Sequence, residues 1–226
     1  HGIPTCVDNT FASPYLQNPI GLGVDIVLHS TTKYIGGHSD VIGGALILAD
    51  GRFDEVIRFH RNTIGAATDP FAAWITHRGL KTLGLRMEAH CKNAEVLADF
   101  LSGHAMVDDV IYPGLASHPQ HALAKKQMKN GFGGMISIRV KGGEKETSRF
   151  IKAVKVFTLA ESLGGVESLL SVPAKMTHAS VDPQVRQKLG ITDNLIRLSV
   201  GIEDIEDLQA DLDQALKAVG SGAVPA

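Results

Sequence analysis

His29-Ser-Thr-Thr-Lys33-Tyr-Ile-Gly-Gly37-His-Ser-Asp40-Val-Ile-Gly-Gly44 leaves one apolar run, Val24-Asp-Ile-Val-Leu-His29, and enters another, Gly44-Ala-Leu-Ile-Leu-Ala49. Short continuous apolar runs bounded by glycine and hydroxyl residues predict buried strands. Thr5 to Asp8 predicts a further short strand upstream, with Ser13-Pro14 and Asn18-Pro19 marking a loop or short helix between. Strands of this kind, separated by helical segments, predict an α/β fold with a largely parallel sheet covered on both faces.

Working outward, residues 52–64 read as helix. Asp69 to about Leu101 reads as one long helix, with Leu80, Leu83, Met87, Cys91, Ala94, Leu97 and Leu101 at steps of three and four. Gly79 and Gly84 interrupt it, and a bend is expected near Gly84. Beyond it, Phe132, Gly134, Ile136, Ile138 and Val140 alternate with small or polar residues, the period of a half-buried strand. Helices are expected near 144–155 and 204–218, the second with Ile205, Leu208, Leu212, Ala215 and Val219 on one face, and Ser221 to Ala226 reads as a frayed tail. The chain therefore divides into the C-terminal part of a mostly parallel sheet domain over 1–84 and a smaller α+β C-terminal domain over 85–226. His1-Gly-Ile-Pro-Thr-Cys-Val-Asp8 reads as a loop running into a buried strand, so an N-terminal portion is expected outside this chain.

Composition excludes several classes. A hydrophobic fraction of 44% with 20% charged residues is that of an ordinary globular protein. A net charge of -2 with dispersed basic residues gives no footprint for nucleic acid. No apolar run approaches the ~18 residues a bilayer crossing needs, so no membrane span is expected. Cys6 and Cys91, the two cysteines, form no disulfide framework, and reduced thiols in the cytoplasm are the simpler expectation.

Lys33 follows the C-terminal end of a predicted buried strand, where ligands of open α/β sheets bind. Burial there disfavours the ammonium form, and a neutral amine condenses with an aldehyde cofactor such as pyridoxal 5'-phosphate (PLP). Ser30 and Thr32 offer hydroxyls suited to phosphate oxygens, and Gly36 and Gly37 allow close backbone approach. Asp8 ends the preceding strand on the same sheet edge, where a carboxylate can keep a pyridine nitrogen protonated. Two other readings compete. Ser30-x-x-Lys33 also matches the nucleophile motif of serine β-lactamases, but the accompanying Ser-Asp-Asn and Lys-Thr-Gly elements are missing. Taken alone, Lys33 is equally an ordinary solvated loop lysine.

Val7-Asp-Asn-Thr-Phe-Ala-Ser-Pro14 together with the Lys33 segment strongly resembles the trans-sulfuration (Cys/Met metabolism) family of fold-type I PLP enzymes. So do Arg78-Gly-Leu-Lys-Thr-Leu83, Tyr112-Pro-Gly-Leu115, Leu159-Ala-Glu-Ser-Leu-Gly-Gly165, Met176-Thr-His178 and Ile196-Arg-Leu-Ser-Val-Gly-Ile-Glu203. The resemblance covers essentially the whole chain. It implies that Lys33 carries the cofactor, that Asp8 pairs with the pyridine nitrogen, and that Ser30 and Thr32 bind the phosphate, with Thr10 nearby. It further implies that Arg197 binds the substrate carboxylate, with Ser162 beside it and Thr177 in the same region. Ala160-Glu-Ser-Leu163 has the form typical of cystathionine γ-lyases and γ-synthases, and Glu161 is expected to receive the distal ammonium of cystathionine. The implied activity is a carbon–sulfur lyase cleaving cystathionine to cysteine, 2-oxobutanoate and ammonia. γ-Replacement by a cystathionine γ-synthase or an O-acylhomoserine sulfhydrylase is the alternative. A homotetramer of two catalytic dimers is implied, and a catalytically silent remnant of the family stands as a second class. The family's Tyr-x-Arg arm, glycine-containing phosphate loop and ring-stacking tyrosine find no match here, so activity is expected only with the N-terminal portion.

The remaining candidates read more blandly. His118-Pro-Gln-His121 has ligand-like spacing but no third partner, so no metal is expected. His29, His38 and His178 read as packed or hydrogen-bonded histidines, a salt bridge to Glu203 or Asp204 competes for Arg197, and Trp74 is expected to pack against the long helix.

Overall fold

The structure is a computed structural model and describes residues 2–221. The tail expected over Ser221–Ala226 lies, apart from the backbone of Ser221, outside the described residues.

Three strands form the first sheet: β1 (Cys6–Asp8), β2 (Ile26–Ser30) and β3 (Gly44–Leu48), with α1 (Ser13–Leu16) between the first two. β1 and β2 run parallel with Asp8 opposite Leu28, whereas β3 returns antiparallel with Gly44 opposite Ser30. The expected parallel sheet is thus mixed within the described residues. The β2–β3 connection holds one short helical turn and no crossover helix, which is all an antiparallel neighbour requires. Within this chain alone Leu28, Leu46 and Ile47 stay 36%, 49% and 40% exposed.

The next three helices were expected as two. α2 (Asp54–Ile64) buries none of its residues. α3 (Pro70–Leu80) starts where the Asp69 side chain accepts from the Phe71 and Ala72 amides, with Pro70 in the first turn. α4 (Leu83–Ser102) follows after a break at Lys81–Thr82, whose amides bond only three residues back, to Arg78 and Gly79. The single long helix is therefore divided just before Gly84. Trp74 does not pack against α4: it is 59% exposed and stacks on Phe71 of its own helix at 6.0 Å.

The second sheet is larger. After α4 come β4 (Val107–Ile111), α5 (His121–Gln127), β5 (Met135–Val140), α6 (Glu144–Ala153), β6 (Thr158–Leu159), β7 (Leu169–Ser171), α7 (Pro183–Lys188), β8 (Leu195–Ser199) and α8 (Ile205–Ser221). The strand order is β4-β5-β8-β7-β6, antiparallel throughout except for β6 and β7. The alternation read in the sequence places Ile136, Ile138 and Val140 of β5 in the core, where Ile196 and Leu198 of β8 join them. They meet Leu97 and Leu101 of α4, Phe150 of α6 and Leu208 and Leu212 of α8. Each such fully buried side chain contributes roughly 1.5–3 kcal/mol.

Leu16, Tyr34, Leu83, Met87, Cys91 and Leu163 form a smaller cluster, so α4 contributes to both. Cys91 is a buried free thiol whose Sγ accepts from the Gly133 amide at 3.3 Å, and Cys6 is an exposed one. His118 and His121 lock a turn: His118 Nδ1 accepts from the Gln120 amide, and His121 Nδ1 lies 2.8 Å from the Pro113 carbonyl.

Candidate functional site

β2 ends at Ser30, and Thr31–Ile35 continue as a single wide turn of π type. Lys33 breaks it, with φ −91° and ψ −133° outside the helical range. Beyond the break the Gly36 amide bonds back to the Thr31 carbonyl and the Gly37 amide to the Lys33 carbonyl, each at 2.8 Å. Lys33 Nζ donates to Ser162 Oγ at 2.6 Å. Ser162 itself holds φ +85°, a region L-residues seldom occupy, in the loop after β6. Arg197, in the middle of β8, donates from a terminal nitrogen to the Ser162 carbonyl at 3.2 Å. An amine and a guanidinium from two distant segments therefore converge on one residue, Ser162.

Burial pushes the Lys33 amine below its ordinary pKa; the Arg197 charge adds to this and Glu161 opposes it. Burial lowers Arg197 as well. Arg197 is not bridged to Glu203, whose carboxylate accepts from the Ser168 amide and hydroxyl at 2.6 and 2.8 Å.

The other expected residues fall into three groups. Asp8 stands exposed at the end of β1, one Oδ accepting from the Thr10 amide at 3.0 Å, on the edge from which Ser30 emerges. Thr10 and Thr32 serve the backbone. Thr10 Oγ accepts from the Ser30 amide at 2.8 Å, tying the two strand ends; Thr32 Oγ accepts from the Gly43 amide at 3.0 Å and donates to its carbonyl at 3.4 Å. Glu161 is exposed yet close enough to act on both Lys33 and Arg197. Thr177 is not drawn into the Lys33–Ser162–Arg197 contacts: it is exposed, and its hydroxyl pairs with His178 Nδ1 at 2.8 Å.

What the sequence reading missed is the scaffold behind Lys33. Arg86 of α4 is buried, with its guanidinium nitrogens on the carbonyls of Tyr34 (2.7 Å), Ile35 (3.3 Å) and Gly79 (2.8 Å) and Nε on the Thr82 hydroxyl (3.0 Å). The buried His90 meets the edge of Tyr34 at 5.1 Å and holds the Val200 carbonyl through Nδ1–H at 2.7 Å. On the far side, the Val166 amide bonds to the Gly37 carbonyl and the Gly164 amide to Ser199 Oγ. One signal was available in the sequence. Arg86 and His90 sit within the apolar stripe of Leu83, Met87 and Cys91, where an unpaired charge is expensive.

A family model described as Cys/Met metabolism PLP-dependent enzyme matches residues 1–217. This chain belongs to that family. Pyridoxal phosphate is the cofactor of the family. The chain is 56% identical over 215 residues to a cystathionine γ-lyase of Dictyostelium discoideum, covering 95% of this chain and 55% of that protein. It is 55% identical over 217 residues to a cystathionine β-lyase of Lactococcus lactis subsp. cremoris, covering 96% and 57%. A solved cystathionine γ-synthase from Xanthomonas oryzae pv. oryzae, in complex with cystathionine, superposes with a TM-score of 0.95 at 50% identity, covering 98% of this chain and 57% of that one. The chain thus spans about half the length of the curated relatives it matches. Among the described residues no helix is long and apolar enough to cross a membrane.

Proposed function

We propose that this chain holds PLP on Lys33 and, within the complete subunit, cleaves cystathionine and water to cysteine, 2-oxobutanoate and ammonia. The observation that carries this reading is the convergence of the Lys33 amine and the Arg197 guanidinium on the two oxygens of Ser162.

The residues fit the cofactor. An amine held toward its neutral form suits an aldehyde partner. Asp8 offers an open carboxylate on the neighbouring strand end, and Ser30 a hydroxyl at the end of β2. Thr32 would join the phosphate by turning its hydroxyl proton away from Gly43, giving up only a long 3.4 Å bond. Thr10 would hold the strand ends in register. When bound, PLP supplies a protonated ring that withdraws electrons from the substrate carbon, and Asp8 is the group to keep that ring protonated.

The remaining roles are those of the chain. Arg197 takes the substrate α-carboxylate in its planar fork, and its hold on the Ser162 carbonyl fixes that fork relative to the lysine. Lys33, its amine shifted toward the neutral form by burial and the Arg197 charge, takes the Cα proton. Ser162 Oγ keeps the amine aimed between proton transfers. Glu161, exposed beside Lys33 and Arg197, receives the distal ammonium of cystathionine. Family resemblance extends the reading to a cytoplasmic homotetramer of two catalytic dimers.

The solved γ-synthase neighbour favours a second reading, cystathionine formation by γ-replacement. Assay of the complete protein on cystathionine, and on an O-acylhomoserine with cysteine, separates them. Dominant synthesis makes it the synthase, while homocysteine and pyruvate from cystathionine make it a β-lyase. Lys33→Ala should abolish turnover and the borohydride-reducible visible absorption; retention of either would overturn Lys33 as the carrier.

A further inference from the structure

We propose that Arg86 is a positioning residue for Lys33, its buried guanidinium capping the Tyr34 and Ile35 carbonyls and so fixing the backbone break that aims the lysine amine at Ser162. The inference rests on the reading of Lys33 as the cofactor-bearing residue.

Three observations carry it. First, Arg86 is a buried cation with no carboxylate partner among the described ion pairs. Its acceptors are three carbonyls and one hydroxyl, all neutral. A guanidinium held this way is costly to bury, so a packing role alone is better served by an apolar residue.

Second, the acceptors are concentrated on one object. Tyr34 and Ile35 are the two residues after Lys33, and no backbone amide among the described residues bonds their carbonyls, because the turn leaves helical geometry at Lys33. Two buried acceptors are left for a side chain to satisfy, and Arg86 reaches both. Gly79, a third acceptor, belongs to α3 where that helix lies on the same turn. A Cβ at Gly79 would meet the Gly36 carbonyl oxygen, and one at Gly37, which has φ +74°, would collide with the Arg86 guanidinium.

Third, the opposite side of the turn is held independently. The Val166 amide bonds to the Gly37 carbonyl, and the same loop presents Ser162 to the amine. The turn is thus clamped between α4 and the loop that carries its hydrogen-bond target. Releasing the α4 side lets the amine move relative to Ser162, Arg197 and Glu161, the groups that surround it.

The test uses the complete protein with cofactor removed, and reads Lys33 itself. Trace acetylation of Lys33 across pH, followed by peptide mass spectrometry, gives the midpoint of the amine. The rate of PLP capture and the melting temperature are measured alongside. Arg86→Lys should move the midpoint up toward that of an ordinary lysine and slow capture by about 10-fold, since small displacements of a reacting group carry large rate effects. Thr82→Val removes the Nε acceptor together with the Thr82 hydroxyl's own bond to the Gly79 carbonyl, leaves the guanidinium in place, and should shift both in the same direction by about 2–3-fold; it decides the question if Arg86→Lys does not fold. A lowered melting temperature with unchanged Lys33 midpoint and capture rate would leave Arg86 a purely structural residue and overturn the proposal. Shifted labelling in the variants, with no cofactor trapped at Lys33 by borohydride in the parent, would support the positioning and overturn the cofactor assignment.

Discussion

The two sheets differ in what this chain packs against them. In β5, Ile136, Ile138 and Val140 are fully enclosed by helices of the same chain, whereas in β3 Leu46 and Ile47 look outward. The second sheet has α4, α6 and α8 against it; the first is followed by α2, which buries nothing. The difference teaches where the site gets its rigidity. Asp8, Ser30 and Lys33 come from the open sheet, but the groups that aim Lys33 come from α4 and from the Ser162 loop, both tied to the enclosed one.

The largest effect should therefore come from the enclosed core. Ile196→Ala is expected to lower stability by about 3–4 kcal/mol, while Ile47→Ala on the open face should stay within about 0.5 kcal/mol. Urea unfolding of this chain measures both, and similar losses would break the comparison. On the open sheet the sensitivity should be chemical instead. Asp8→Asn in the complete protein should reduce kcat by about 10²-fold, on the order of 3 kcal/mol, while cofactor content holds; a near-normal kcat removes Asp8 from the ring nitrogen.

His90 sharpens the comparison along the pH axis. Burial pushes it down to about 4 from its ordinary 6.5. Between those values the unfolded chain binds a proton that the folded chain does not. Stability is therefore full above pH 6.5 and falls as the pH drops toward 4, by up to roughly 3 kcal/mol. Unfolding at pH 7 and pH 4.5 should show the drop, and His90→Gln should flatten it; a drop of equal size in the variant assigns the effect elsewhere. The smallest effect belongs to Arg197→Lys, whose point charge cannot reproduce a two-bond grip on a carboxylate. KM for amino-acid substrates should rise about 10-fold, about 1.4 kcal/mol, with PLP content unchanged; loss of PLP instead would move Arg197 to the cofactor side.

Lys33, Ser162 and Arg197 were legible as candidates because each stands in a motif, but the contact of the Lys33 amine with Ser162 was not. Apolar alternation likewise located β5 within a few residues. The helix break at Lys81–Thr82 was not legible, because its cause is the approach of Gly79 to a turn far upstream, and periodicity carries no such distance information. The antiparallel return of β3 was hidden for a related reason, since a buried strand shows the same residues in either direction. Thr32 reads in the sequence as a phosphate partner with Thr10 nearby, yet the hydroxyl oxygens of both accept from backbone amides, a fact only the fold supplies.

The two thiols described above give the protein an internal clock. Cys6 is exposed, while Cys91 lies under the Gly133 amide with burial raising its pKa. Near neutral pH an alkylating reagent therefore has one immediate target and one that reacts only when the contact between α4 and the segment before β5 opens. The ratio of slow to fast modification counts those openings directly, on the very helix that backs Lys33, with no probe added and no residue changed.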